Sequence, residues 1–199
     1  MVISPIVNDG RINRSKTTLN KIVAATISLL RKNNNGQIPT AQEIAVKSGV
    51  GIRTVFRHID DMEGLIEEVN RRYLNDLESY IAKNNPKQSS RDQRIEHVIK
   101  ERFYLYNTYQ HVFNLTITSL NNSNAIRTGF IKFNHILRQR FEDLIPEIKM
   151  VNKDKQNLID TLISYAAWFR MTKFNNTKEE RLIEELSLIH ISEPTRPLY

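Results

Sequence analysis

Residues 40–59 read TAQEIAVKSGVGIRTVFRHI. Thr40 can cap a helix, and Glu43 follows three residues later, the spacing of a capping box. A short amphipathic run then ends at Gly49, a residue suited to a turn at positive φ. A second short run begins near Gly51 and carries Ile52, Arg53, Thr54, Arg57 and His58. Two helices that cross at a wide angle over a three- or four-residue turn need a small residue at the crossing and a flexible one in the turn. Ala45 and Gly49 meet those needs, and Ile44, Val50 and Val55 supply a small core beneath the crossing. The pattern is that of a helix-turn-helix, with the second helix over about residues 51–58.

Outward from this stretch, nearly everything reads as helix, and the fold class is all-α. Leu19, Ile22, Val23, Thr26, Ile27 and Leu30 form one stripe at helical spacing. Asn33, Asn34, Asn35 and Gly36 end that helix, Gly36 as a left-handed cap. Asp60 or Asp61 can start a long fourth helix over 61–83, which stops at Asn84-Asn85-Pro86. Ser89-Ser90 opens the next, and further helices are expected over 109–120, 124–145, 154–174 and 178–189. No alternation lasts long enough to argue for a sheet.

The charge is unevenly placed. Of a formal net charge of +7, residues 1–60 hold nine Lys and Arg against three acidic side chains. A basic excess confined to the N-terminal third points to a polyanionic partner there, nucleic acid before membrane. The chain has no Cys, which excludes disulfides, zinc–thiolate sites and a cysteine nucleophile. No run approaches the roughly 18 apolar residues of a membrane span, and the start does not read as a signal peptide. A cytoplasmic protein with no membrane partner is expected. There is no nucleophile elbow, phosphate loop or zinc-protease motif, so neither an enzymatic activity nor a cofactor or metal is expected. His97 and Glu101 share a helix face at i, i+4, a spacing more often solvated than metal-binding.

A recognition helix puts its N-terminal residues into the major groove. Arg can pair with guanine O6 and N7, and Thr can touch a thymine methyl. Arg53 and Thr54 are therefore assigned to base edges, Arg57 to base or phosphate and His58 to phosphate. Thr40 is assigned to phosphate through its hydroxyl and backbone N–H, and Arg14 and Lys16 to the flanking backbone.

The N-terminal pattern resembles the TetR (tetracycline-repressor) family of transcriptional regulators. A helix at 22–30 is followed by Thr40, Ile44-Ala45, Gly49-Val50, Thr54 with Phe56, His58-Ile59 and Leu65, and the likeness covers about residues 15–70. It implies a flexible arm over 1–14, a DNA-binding head over 15–60, and a helical ligand-binding and dimerisation body over 61–186. It also implies a homodimer on a pseudopalindromic double-stranded operator, and a small-molecule inducer of unknown identity that releases a repressor by shifting the fourth helix. Three positions depart from the family pattern. Gly51 replaces the usual capping Ser, Phe56 the usual Tyr, and Met62 the usual Lys, within an acidic stretch of Asp60, Asp61 and Glu63 on the DNA side.

Within the body, Phe103, Tyr104, Tyr106, Tyr109, Phe113, Phe130, Asn134 and Trp168 are the candidate ligand-binding residues; Phe56 joins the DNA-binding set by its place on the second helix. Apolar stripes on the last two helices nominate Leu158, Leu162, Ala166, Phe169, Leu182 and Leu186 for the dimer interface. Two other readings are carried: a helical binding module of the same fold with weakened or lost DNA binding, and a helix-turn-helix protein that needs no ligand. The final residues, SLIHISEPTRPLY, resemble translated adapter sequence, so 187–199 are expected to be a non-native tail.

Overall fold

The computed structural model describes residues 10–33, 36–59, 61–86 and 90–192, and every regular element in them is helical. In order these are α1 (Gly10–Asn33), α2 (Ala41–Ser48), α3 (Ile52–His58), α4 (Met62–Lys83), α5 (Arg91–Thr108), α6 (Gln110–Ser119) and α7 (Asn124–Leu144). A 3₁₀ turn (Pro146–Met150), α8 (Lys153–Leu162), α9 (Tyr165–Phe169), a π turn (Arg170–Phe174) and α10 (Glu179–Ser192) follow. None of these helices is long and apolar enough to cross a membrane. Residues 1–9 of the expected arm and 193–199 of the expected tail lie outside the described residues. Residues 10–14 are the first turns of α1 instead of an arm.

The chain forms two compact units. One runs through Leu74 and takes in Asn114–Phe130; the other joins Asn75–Phe113 to Ile131 and beyond. The change of unit therefore falls inside α4, not at the 60/61 boundary expected from the sequence. The reason lies in polar ties between the start of α4 and the start of α7. The Glu63 carboxylate accepts from the Ala125 backbone N–H at 2.8 Å, and Asn70 Nδ2 donates to the Ala125 carbonyl at 2.8 Å. Gly129 lets α7 approach this closely: a Cβ there would stand 2.4 Å from Asn70 Nδ2.

The core of the first unit holds Ile22, Val23 and Leu30 of α1, Ile44 and Ala45 of α2, Val55 of α3, and Leu65, Ile66 and Val69 of α4. Thr26 is buried among them because its hydroxyl donates back to the Ile22 carbonyl at 2.9 Å, which removes the penalty of an unmade bond. Gly36 has φ +71°, and its carbonyl accepts from the Thr118 hydroxyl, tying the α1–α2 connection to α6.

The second unit is built on rings. Tyr106, buried in α5, sits edge-on to Phe113 and Tyr165 at centroid distances of 5.5 and 5.6 Å. Phe113 and Tyr165 stack face to face at 3.9 Å. Charged groups are buried here only in company. Glu101 takes Arg140 Nε at 3.0 Å and Nη2 at 3.2 Å, and Arg140 Nη2 also donates to the Asn84 carbonyl at 2.8 Å.

The single helix expected over 154–174 is interrupted. α8 stops at Leu162, and Ser164 caps α9 by accepting from the Ala167 N–H. The break exposes the Ile163 carbonyl to side chains of α5, where the Tyr106 hydroxyl donates to it at 2.7 Å and Arg102 Nη1 at 3.4 Å.

Candidate nucleic-acid interface

The α2–α3 pair forms as the turn chemistry demands. Thr40 caps α2: its hydroxyl accepts from the Glu43 N–H at 3.3 Å, and its own N–H donates to Glu43 Oε2 at 2.8 Å. Gly49 closes α2 in the left-handed region at φ +67°, and the Val50 N–H reaches back to the Ala45 carbonyl at 3.2 Å. α3 starts from Gly51 without a side-chain cap. Ile44 and Val55 are buried at the crossing and Val50 is half-buried.

Anchoring α3 through Val55 leaves its other faces to solvent. Arg53 and Arg57 are exposed one turn apart. A parallel row carries Ile52 and Phe56, which are 38% and 59% exposed. Thr54 and His58 are half-buried at the edges. Arg57 and His58 share an open groove with Arg14, Ser15 and Thr18 of α1. Three of the sequence-predicted residues thus come together. Lys16 is exposed on α1 but does not line that groove, and Arg53, Thr54 and Phe56 lie outside it. Ser15 and Thr18 are additions. Thr18 stands one turn after Arg14 and donates to its carbonyl at 2.9 Å, so the i, i+4 spacing was the available signal.

Two expectations about the DNA side change. Thr40 is exposed, but its hydroxyl also donates to Glu43 Oε2 at 2.8 Å, so both groups assigned to phosphate are engaged by that carboxylate. Those bonds, the backbone one foremost, hold the Glu43 carboxyl below its ordinary range. A phosphate would have to displace it. The acidic stretch is also largely occupied. Asp61 Oδ1 accepts from the Gly64 N–H at 2.7 Å at the start of α4. Glu63 turns to α7, where the Ser123 hydroxyl first and the Ala125 N–H next hold its carboxyl below the usual carboxylate range. Asp60 lies outside the described residues.

The expected ligand-binding residues are for the most part packed against one another. Phe103, Tyr106, Tyr109, Phe113 and Trp168 are buried ring against ring. Trp168 Nε1 donates to Glu179 at 3.0 Å. Tyr104 is half exposed and stacks on Tyr80 at 5.1 Å. Asn134 is exposed, and Phe130 belongs to the first unit. Aromatic rings fill space when they interlock, so a ring cluster read from sequence marks core more often than cavity. The apolar cavity of the second unit lies on other residues, among them Ile95, Phe141 and Ile159. Glu101, half of the i, i+4 pair with His97, is buried with both oxygens on Arg140 and His97 Nε2 3.7 Å away.

The expected dimer residues divide. Leu158 and Ala166 are exposed, and Leu162 and Phe169 are half-buried. Leu182 and Leu186 of α10 are buried in this chain, on a helix that packs against α5, which leaves them no surface for a partner.

No protein-family model matches this chain, and comparison with curated proteins finds no match.

Proposed function

We propose that this chain is a ligand-responsive DNA-binding transcriptional regulator, acting as a homodimeric repressor on a pseudopalindromic operator. The observation that carries the reading is the meeting of Arg57 and His58 from α3 with Arg14, Ser15 and Thr18 from α1 around one groove, beside an exposed row of Arg53 and Arg57. Guanidinium groups and hydroxyls in a groove suit the oxygens of a phosphate backbone. Arg53, nearer the start of α3, is the base-reading cation. The exposed Ile52 and Phe56 beside it suit the methyl groups of thymine. The exposed Arg53 and Arg57 can also meet a duplex without dismantling the core beneath Val55.

The test is binding to duplex DNA from upstream of the chain's own gene, followed by fluorescence anisotropy over a range of salt. The log of the affinity is expected to fall linearly with the log of salt, with a slope of about −0.9 per phosphate neutralised. Absence of salt-dependent binding would overturn the reading. A second reading, a helical binding module with weakened DNA binding, is favoured by Thr40, whose donors are taken by Glu43, and by Phe56, which has no hydroxyl. It calls for binding that stays at the nonspecific level on every duplex tried.

A further inference from the structure

Four side chains cover the outward arc of α3. Successive residues of a helix turn by about 100°, so Ile52, Phe56, Arg53 and Arg57 fall in that order across an arc of about 140°. Buried Val55 and the half-buried Thr54 and His58 take the rest of the circumference. The arc is split lengthwise. One half is apolar, with Ile52 38% and Phe56 59% exposed, and the other is cationic. An isoleucine and a phenylalanine left in water forfeit the gain that burial brings. Their neighbours point to what covers them. The two cations on the same arc, the groove that joins Arg57 to Arg14, and nine Lys and Arg against three acidic residues over 1–60 all complement a polyanion. On a duplex, the apolar group displayed in the major groove is the C5 methyl of thymine.

We infer that Ile52 and Phe56 read two C5-methylpyrimidines about two base steps apart on the operator, beside the guanine taken by Arg53. The spacing follows from the two rises, with α3 laid along the groove. Residues four apart on a helix stand about 6 Å apart along its axis, and two base steps span about 6.8 Å. The chemistry follows from what these side chains lack. Neither donates nor accepts a hydrogen bond, so they sense the methyl and not the O4 of thymine or the N4 amino group of cytosine beside it. 5-Methylcytosine therefore substitutes for thymine at these positions, and the head responds to cytosine methylation. The inference rests on the regulator reading and deepens it by naming what the exposed apolar row recognises.

The test uses the full chain and the upstream duplex that it binds in the salt titration. Replacing thymine by deoxyuridine, one position at a time, removes a methyl and no hydrogen-bonding group. Two positions in each half-site are expected to lose about fourfold in affinity, and the others to stay unchanged. Cytosine paired with guanine at those two positions should bind no better than uracil, and 5-methylcytosine should recover about fourfold over cytosine. Phe56→Ala should abolish the methyl effect at one of the two positions and Ile52→Ala at the other. Both side chains are exposed, and circular dichroism checks that the variants keep their helices. Equal affinity for thymine and uracil duplexes would overturn the inference. So would methyl effects that persist in both variants, which would give the reading to Thr54, or variants that change self-association in sedimentation but not the uracil response, which would give the row to a second copy. Salt-dependent operator binding without a methyl effect removes this inference alone. No salt-dependent binding to any duplex removes the regulator reading with it.

Discussion

The Tyr106 hydroxyl donates to the Ile163 carbonyl at 2.7 Å, joining residues 57 apart in sequence within a buried core. The bond exists because α8 ends one residue earlier, leaving that carbonyl outside the helical ladder. Burial also raises the Tyr106 hydroxyl above its ordinary pKa, so it stays a donor. The same break turns α9 onto a new heading and brings Tyr165 and Trp168 against Tyr106, at 5.6 and 5.8 Å.

Tyr106→Phe keeps the ring packing and removes the donor. Arg102 Nη1 remains at 3.4 Å from the carbonyl, so the loss is expected to be about 1 kcal/mol. In thermal denaturation that is a fall in Tm of about 2–4 °C. An unchanged Tm would show that the Ile163 carbonyl is satisfied without Tyr106.

Gly36→Ala meets two obstacles. At φ +71° a side chain is strained, and the new Cβ would stand 2.8 Å from the Asn114 carbonyl, a backbone atom with little room to retreat. The left-handed conformation alone costs about 1–2 kcal/mol, and the clash adds to it. Gly51→Ser differs, because φ is −59° and nothing lies within 4 Å of the new Cβ. It supplies the missing cap of α3 and is expected to gain a few tenths of a kcal/mol. Urea denaturation of the two variants should move the midpoint in opposite directions.

On the regulator reading, Arg57→Ala and Arg53→Ala should differ in kind. Arg57→Ala is expected to weaken all duplexes alike and lower the salt slope by about 1. Arg53→Ala should cost about 1–3 kcal/mol on the operator and relax preference at one guanine. Anisotropy titrations on operator and scrambled DNA read both effects.

Met62→Lys places a cation at the start of α4, where Asp61 and Glu63 are already engaged. Tighter operator binding at moderate salt is the expected result, seen in the same titration. An unchanged affinity would count against this docking of the head.

Burial pushes the Tyr165 hydroxyl up to about 12. In the unfolded chain it ionises near 10. The folded state therefore keeps a proton that the unfolded state loses, and stability falls as pH rises from about 10 through 12. Spectrophotometric titration should show delayed tyrosinate absorbance, and Tyr165→Phe should flatten the alkaline decline in Tm.

What was legible in the sequence was local. The capping box at Thr40, the helix start at Ser90, the left-handed Gly36 and Gly49, and the stop at Asn84 all stand where their side-chain chemistry places them. The outward rank of Arg53 and Arg57 followed from Val55 being the apolar position of a short helix. The groove was half legible, since Arg14 and Arg57 lie in different helices and only packing brings them together. Which of the ligand-candidate rings are packed core was not legible, because a Tyr or Trp that fills a core and one that lines a cavity have the same helical spacing.

By itself the sequence determined the helical class of the described residues, the ends of most helices and the glycine turn between α2 and α3, because caps, turns and periodicity act within a few residues. Only the tertiary structure decided that α8 breaks at Ile163, that Glu63 belongs to α7, that Leu182 and Leu186 are buried and where the second unit keeps its cavity. Those outcomes depend on partners dozens of residues away, where a carbonyl finds a hydroxyl or an isoleucine finds a wall, and no local pattern encodes such distances.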